Sequence, residues 1–219
     1  MSAEREARAE PQVVVHKTPA YRVIRGAVWT FLHSYNRLRV EGREHLPRSG
    51  GALIVANHQS FLDIPVIAAA CPRHVSFVAR DTLAESAALA WIMRQCAAVL
   101  IRRGSADRAA LREMTRKLEL EDCVAMFPEG TRSRDGRLGE FRAGAIVAAR
   151  RTGVPLVPAG IRGALRAWPR ERRLPRPARI GIRFGPAIDP GHPRALERVR
   201  AAIAAMIGDG SFGSPPAAR

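Results

Sequence analysis

The chain has 219 residues, a length that suits one domain with a continuous hydrophobic core. Its 36 basic residues against 20 acidic residues give a formal net charge of +16, which favours an anionic partner such as phospholipid, nucleic acid or an acidic carrier protein. The cysteines, Cys71, Cys96 and Cys123, lie far apart among apolar neighbours. That spacing excludes a disulfide framework and a Cys-x-x-Cys metal site, and it predicts buried thiols in a reducing compartment.

The first forty residues predict a flexible lead-in followed by one amphipathic helix. Residues 1–19 are charged and polar and show no export signal. Across residues 20–39, apolar side chains recur at helical spacing with arginine and polar residues between them. Charges interrupt this stretch too often for it to cross a bilayer as a helix. The helix is therefore expected either to lie on a membrane surface, with its basic face opposite Trp29 and Phe31, or to pack on the domain.

Beyond this helix, short apolar runs alternate with helical stretches, a pattern typical of an α/β fold. We expect a single domain over residues 40–207, with a mostly parallel sheet flanked by helices. The predicted strands are 52–56, 75–79, 99–101, 124–127, 156–161 and 180–184. The predicted helices follow the first strand, run through Trp91, and cover 106–120, 142–151 and 193–207. Residues 208–219, rich in Gly, Ser, Pro and Ala, predict a disordered tail.

A histidine and a carboxylate follow the first predicted strand, five residues apart. Ligands of parallel sheets bind at the carboxyl ends of the strands, where His58 and Asp63 fall. The two side chains can meet only if His58 lies in the turn before the helix and Asp63 in its first turn, with Ser60 as a predicted N-cap. Asp63 then orients the imidazole, which can remove a proton from a substrate hydroxyl. Two capping residues remain the alternative.

A second polar segment, Phe127 to Ser133, follows another predicted strand. Gly130 lets the backbone approach a ligand closely, and Arg132 can bind a phosphate through two hydrogen bonds. By itself this segment could be an ordinary polar loop. Because both loops follow strands of one parallel sheet, however, we expect them to converge on a single cleft.

These residues resemble the sequence blocks of the glycerolipid acyltransferase family. The Asn-His-x4-Asp block matches Asn57, His58 and Asp63, and the Phe-Pro-Glu-Gly-Thr-Arg-Ser block matches residues 127–133 throughout. A block with two prolines in a strand matches residues 154–158. In the remaining block Arg103 takes the place of the family's arginine, whereas Ala97 replaces the usual glycine and Arg102 precedes the arginine.

The resemblance implies that an acyl group is transferred directly from a thioester to a hydroxyl. His58 would act as general base and Asp63 would orient it, without a metal, a cofactor or a covalent acyl-enzyme. The co-substrate would be acyl-coenzyme A or an acylated carrier protein. Glu129 would order the arginines or bind glycerol hydroxyls. The residues implied in substrate binding are Asn57, Arg103, Phe127, Pro128, Glu129, Gly130, Thr131 and Arg132.

The expected reaction acylates 1-acyl-sn-glycerol 3-phosphate to phosphatidic acid, at the cytoplasmic face of a membrane to which the protein binds peripherally or monotopically. Anionic phospholipid is an expected partner, and nucleic acid is not, because no recognition motif accompanies the basic charge. The arginines between 162 and 183 could contact lipid, a carrier protein or coenzyme A phosphates, or simply be solvated. Glycerol 3-phosphate, a lyso-aminolipid or a glycolipid precursor remains an alternative acceptor, and a non-catalytic membrane- or nucleic-acid-binding module remains an alternative of another class.

Overall fold

The computed structural model describes residues 19–80, 99–101, 106–172 and 174–209. Its strands are β1 Arg39–Glu41, β2 Ala52–Ala56, β3 Val75–Arg80, β4 Val99–Ile101, β5 Cys123–Met126, β6 Leu156–Arg162 and β7 Gly181–Phe184. Its helices are α1 Pro19–Tyr35, α2 Asp63–Ala70, α3 Ala106–Glu119, α4 Gly144–Thr152, α5 Ala164–Ala167 and α6 Ala195–Gly208, and a 3-10 turn covers Arg43–His45. Arg103, Cys96, the predicted helix through Trp91, residues 1–18 and residues 210–219 lie outside the described ranges.

The described strands form one sheet of seven in the order β1-β7-β6-β2-β5-β3-β4. Neighbouring strands are parallel except β6 and β7, which are antiparallel. The predicted α/β class with a mostly parallel sheet is therefore confirmed. Strand β2 lies between β5 and β6, so the loop that carries His58 leaves the middle of the sheet.

Two hydrophobic cores cover the two faces of the sheet. Alternate side chains of β2 point to opposite faces, as the period of a strand requires. Ile54 joins the core under α1 and α2, whereas Leu53 and Val55 join the core under α3, α4 and α6. Every residue of β2 is buried, which explains its continuous apolar run.

Helix α1 packs against α2 and ends earlier than its apolar periodicity predicts. Tyr21 and Leu32 are buried, whereas Trp29 and Phe31 are exposed. The helix stops at Tyr35, after which Arg37 has a φ of +46° and the Leu38 N–H donates to the Leu32 carbonyl. This bond, between residues six apart in sequence, turns the chain back on itself and returns Leu38 to the apolar side of the helix. Leu38 therefore keeps the apolar spacing of the helix although it lies beyond the end of the helix.

Three elements were not predicted: strand β1, helix α5 and the 3-10 turn. Each is only three or four residues long, too short for a periodic pattern to be recognised. Cys71 and Cys123 are buried free thiols, as predicted. None of the described helices has both the length and the apolarity that spanning a bilayer requires.

Candidate active site

Strands β2 and β5 pair directly, which brings the two predicted polar segments together at the carboxyl end of the sheet. Asn57 to Ser60 follow β2, and Phe127 to Ser133 follow β5. The Ser133 N–H donates to the His58 carbonyl (2.8 Å), which joins the two segments directly. The predicted convergence on one site is confirmed.

The imidazole of His58 is held by the carboxylate of Asp63. Nδ1 of His58 donates to Oδ2 of Asp63 at 2.8 Å. The same oxygen accepts the N–H groups of Gln59 (2.6 Å) and Ser60 (2.7 Å). Asp63 is the first residue of α2 and His58 lies in the turn before it, as the five-residue spacing required. Asp63 is fully buried, whereas the His58 side chain is 18% exposed, so solvent reaches the imidazole and not the carboxylate.

The His58 imidazole has one face covered by an aromatic ring and one nitrogen without a hydrogen bond among the described residues. The ring of Phe127 stacks on that of His58 with centroids 4.0 Å apart. Because Nδ1 is committed to Asp63 and stabilised as the donor, Nε2 carries the lone pair. Nε2 makes no hydrogen bond with the described part of the chain. It is therefore available to accept a proton.

Glu129 braces the two segments through both of its carboxylate oxygens. Oε1 accepts the N–H of His58 at 2.9 Å, across 71 residues of sequence, and Oε2 accepts the N–H of Gly139 at 3.0 Å. Burial raises the pKa of Glu129, while the two N–H donors and His58 oppose that rise. The sequence had suggested contacts with arginines or glycerol hydroxyls, and it contained no signal for this brace. Substrate contact by Glu129 stays a prediction.

A left-handed glycine and backbone hydrogen bonds set the shape of the segment Phe127 to Ser133. Gly130 has a φ of +68°, a conformation that strongly favours glycine, and its N–H donates to the Phe127 carbonyl. Pro128 is buried and its carbonyl accepts the Arg142 N–H, whereas Thr131 is exposed. Loop residues 129–142 line a cavity of about 460 Å³ beside the site.

The Arg132 guanidinium lies against an aromatic ring, but one of its nitrogens lacks a hydrogen-bond partner among the described residues. Its Cζ lies 3.6 Å from the centroid of the Phe61 ring. Its Nη1 is buried and has no hydrogen-bond partner among the described residues. Desolvation lowers the pKa of Arg132 and the nearby charge of Arg170 lowers it further, whereas Asp63 and Glu171 oppose both effects. Such a guanidinium can bind an anion.

A turn after β6, which the motifs did not include, completes the surroundings of Arg132. Oγ of Ser60 donates to the Trp168 carbonyl at 2.7 Å, across 108 residues of sequence. The Trp168 ring contacts that of Phe61, with centroids 5.5 Å apart. Ser60 therefore ties this turn to the site. Its Oγ also accepts the Leu62 N–H at 3.2 Å, so Ser60 caps the turn before α2, while Leu62 is the residue that precedes the helix. A contact across 108 residues leaves no local signal in the sequence.

Asn57 is turned towards strand β6. Its Nδ2 donates to the Ile161 carbonyl (2.9 Å) and its Oδ1 accepts the Ile161 N–H (2.7 Å). The side chain is 1% exposed. This geometry gives Asn57 a positioning role, because it anchors the start of the His58 loop to the neighbouring strand. Its predicted contact with substrate remains untested.

The fold and the site define an α/β protein with a histidine–aspartate pair for proton transfer beside a guanidinium that can bind an anion. Such an arrangement can activate a hydroxyl on an anionic substrate. Comparison with known proteins agrees. Residues 37–162 match the model of the Acyltransferase family, more than half of the chain, and the chain therefore belongs to that family. The predicted resemblance is confirmed.

Two named proteins and one solved structure are similar to this chain. The chain is 34% identical over 142 residues to the chloroplastic 1-acyl-sn-glycerol-3-phosphate acyltransferase LPAT1 of Arabidopsis thaliana, covering 63% of this chain and 39% of that protein. It is 34% identical over 125 residues to the alpha enzyme of Ovis aries, covering 56% and 44%. The crystal structure of the 1-acyl-sn-glycerophosphate acyltransferase PlsC from Thermotoga maritima aligns with a TM-score of 0.71 at 29% identity, covering 84% of this chain and 78% of that one. The chain thus spans about two fifths of the length of these two curated relatives.

Proposed function

We propose that the protein transfers a fatty acyl group from an acyl thioester to the free hydroxyl of 1-acyl-sn-glycerol 3-phosphate, producing phosphatidic acid. The observation that carries this proposal is the 2.8 Å hydrogen bond from Nδ1 of His58 to a fully buried Asp63, with Nε2 available. Relatives named for this reaction support the choice of acceptor.

In the proposed mechanism, Nε2 of His58 removes the proton of the acceptor hydroxyl while that oxygen attacks the thioester carbonyl. The tetrahedral intermediate collapses, the carbon–sulfur bond breaks, and the thiolate leaves and takes a proton from the imidazolium. Asp63 stabilises that imidazolium and holds its tautomer. The acyl group passes directly between substrates, so His58 is unchanged at the end of the cycle.

Arg132 would bind the phosphate of the acceptor in this scheme. Its unpaired Nη1 and its desolvation support that role, because a phosphate supplies the missing hydrogen-bond acceptor and a compensating charge. Gly130, Thr131 and the aromatic face of Phe127 would line the same acceptor site. Arg103 remains proposed as a second phosphate ligand on its sequence position alone.

The donor would be acyl-coenzyme A or an acylated carrier protein, and the enzyme would work at the cytoplasmic face of an anionic membrane as a peripheral or monotopic protein. The exposed aromatic side chains of α1 support a membrane location, because their partly polar rings suit a lipid–water interface. A basic module without catalysis is less well supported, since it would not need a buried carboxylate that orients a reachable histidine.

The decisive experiment measures thiol release from acyl-coenzyme A, and separately from an acylated carrier protein, with and without 1-acylglycerol 3-phosphate. We expect release that depends on the acceptor, with phosphatidic acid identified by mass spectrometry. His58→Ala should reduce kcat by about 10² to 10⁴ without loss of folding, because it removes the general base. His192→Ala, distant from the site, is the matched control.

Release that is equally fast in His58→Ala would refute the mechanism. Acceptor-dependent release with glycerol 3-phosphate or another lyso-lipid, but none with 1-acylglycerol 3-phosphate, would reassign the acceptor within the family. The absence of transfer from either donor to any of these acceptors would contradict the proposed activity.

A further inference from the structure

A second large cavity lies at the end of the sheet opposite His58. It has a volume of about 780 Å³ and opens between the first half of α1 and the turns that precede β2, β3 and β5. Parallel strands that end at the active site begin here, so the cavity is separated from the catalytic residues by the length of the strands. Its volume lies in the range of small-ligand sites.

Two arginines are built into the wall of this cavity. Arg73 donates to the carbonyls of Pro47, Gly50 and Glu121 at 2.8 to 3.1 Å, and Arg25 donates to the Cys71 carbonyl at 2.7 Å. These bonds fix both guanidinium groups. Carbonyl acceptors carry no net charge, so each arginine keeps its full positive charge.

Two further arginines stand at the mouth of the cavity. Arg22 on α1 and Arg48 before β2 are exposed and make no hydrogen bond or ion pair with the described part of the chain. The cavity also contains two carboxylates, but Asp122 lies 3.7 Å from Lys117 and is partly neutralised by it. Four guanidinium groups therefore face Glu121 and one paired aspartate, and the cavity carries a net positive charge.

Helix α1 connects the cavity to the catalytic end of the protein. Trp29 lies at the rim of the cavity and is 45% exposed. Phe31 and Tyr35 continue the exposed aromatic surface, and the Tyr35 hydroxyl reaches the Pro175 carbonyl in the segment that follows the active-site turn. Aromatic rings beside arginines are the pairing that suits the headgroup region of a membrane.

From this combination we propose that the cavity binds the phosphate of an anionic phospholipid headgroup. Arg25 and Arg73 form its base and Arg22 and Arg48 close over the phosphate, while Trp29 contacts the glycerol region. Binding there holds α1 along the membrane surface, with the active site presented at the other end of the same helix. The site is separate from the acceptor site of the proposed reaction and does not depend on it.

The test uses vesicle sedimentation with the double variant Arg22→Ala/Arg48→Ala. Both side chains are exposed and unpaired, so the fold is expected to be retained, and a thermal melt verifies this. Its matched control is Arg112→Ala/Arg151→Ala, which removes the same charge from exposed positions on α3 and α4, across the sheet from α1. Vesicles contain phosphatidylcholine with or without phosphatidylglycerol, and inorganic phosphate is titrated separately and followed by phosphorus NMR.

We expect the cavity variant to bind phosphatidylglycerol vesicles about 25-fold more weakly, at about fivefold for each arginine near an anionic surface. The control should lose about twofold or less, and pure phosphatidylcholine should bind both variants equally. Equal losses in the two double variants would show a diffuse charge effect and overturn the proposal. Phosphate binding that requires Arg22 and Arg48, with vesicle binding unaffected, would also overturn it, by assigning the cavity to a free anion.

Discussion

Asp63 is a single buried carboxylate that orients the His58 imidazole and holds the turn before α2. Its Oδ2 accepts hydrogen bonds from the His58 ring and from two successive backbone N–H groups, so the same atom orients the imidazole and shapes the turn. Those donors supply hydrogen bonds to a carboxylate that water cannot reach. The Asp63 carboxylate is therefore needed both for the orientation of the imidazole and for the shape of the turn.

The variant Asp63→Asn should lower kcat by about 10² to 10⁴ while leaving the KM of the acceptor nearly unchanged, because the base loses its orientation and the imidazolium its counter-charge. In one orientation the amide N–H₂ faces the three donors, and in the other it replaces Oδ1, which is buried without a hydrogen-bond partner among the described residues. In either case the free energy of unfolding should fall by about 1 to 3 kcal/mol. Steady-state kinetics and urea denaturation measure these two effects. Asp189→Asn, at an exposed turn, should change neither, and a fully active Asp63→Asn would contradict the assigned role.

Arg132 is expected to act in binding rather than in proton transfer. Arg132→Ala should raise the acceptor KM by about 10- to 100-fold with a smaller change in kcat, because it removes a charge-assisted hydrogen bond to the phosphate. Arg137→Ala is the control, since that side chain lies in the same loop but is 90% exposed. An acceptor KM unchanged in Arg132→Ala would exclude it from the phosphate site.

At the level of strands and turns, the site depends on segments that are distant in sequence. The loops after β2 and β5 are joined by Glu129 and Ser133, and the turn after β6 is joined to them by Ser60. Gly163 begins that last turn with a φ of +80°, and a Cβ there would collide with the Arg179 carbonyl. The path of the chain from β6 into the turn that contains Trp168 therefore requires glycine at position 163.

Two glycine variants separate this collision from backbone strain. Gly163→Ala should lower the free energy of unfolding by about 3 to 5 kcal/mol, because it adds a steric clash to an unfavourable positive φ. Gly153→Ala has the same strain at a φ of +70°, but open space around the new methyl group, and should lose about 1 to 2 kcal/mol. Urea denaturation measures the free energy of unfolding of both variants. An equal loss in the two would show that the turn at Gly163 shifts and relieves the clash.

In the protein as a whole, the two ends of the sheet hold different groups and α1 spans both. The carboxyl end holds the histidine–aspartate pair, and the amino end holds the arginine cavity. The buried Leu32 and Tyr21 show that α1 packs on the domain, while its exposed aromatics remain available for a surface. Packing on the domain, one of the two alternatives expected for this helix, is therefore confirmed, while binding to a membrane surface stays a proposal.

Periodicity and local motifs were enough to predict the α/β class, most strand and helix positions, and the His58–Asp63 pair. Those features depend on neighbours within a few residues or on the burial pattern of a single strand. The end of α1 at Tyr35 could not be predicted, because Leu38 keeps the apolar period through a change of backbone direction.

Tertiary structure alone decided which polar groups meet. The Glu129 brace, the Ser60 bond to Trp168, the bonds of Asn57 to Ile161 and the clustering of Arg22, Arg25, Arg48 and Arg73 all join segments far apart in sequence. Such contacts follow from the order and register of strands in the sheet. A linear pattern carries the residue types needed for a base and an anion site, but the distances that make them work arise only when the sheet is assembled.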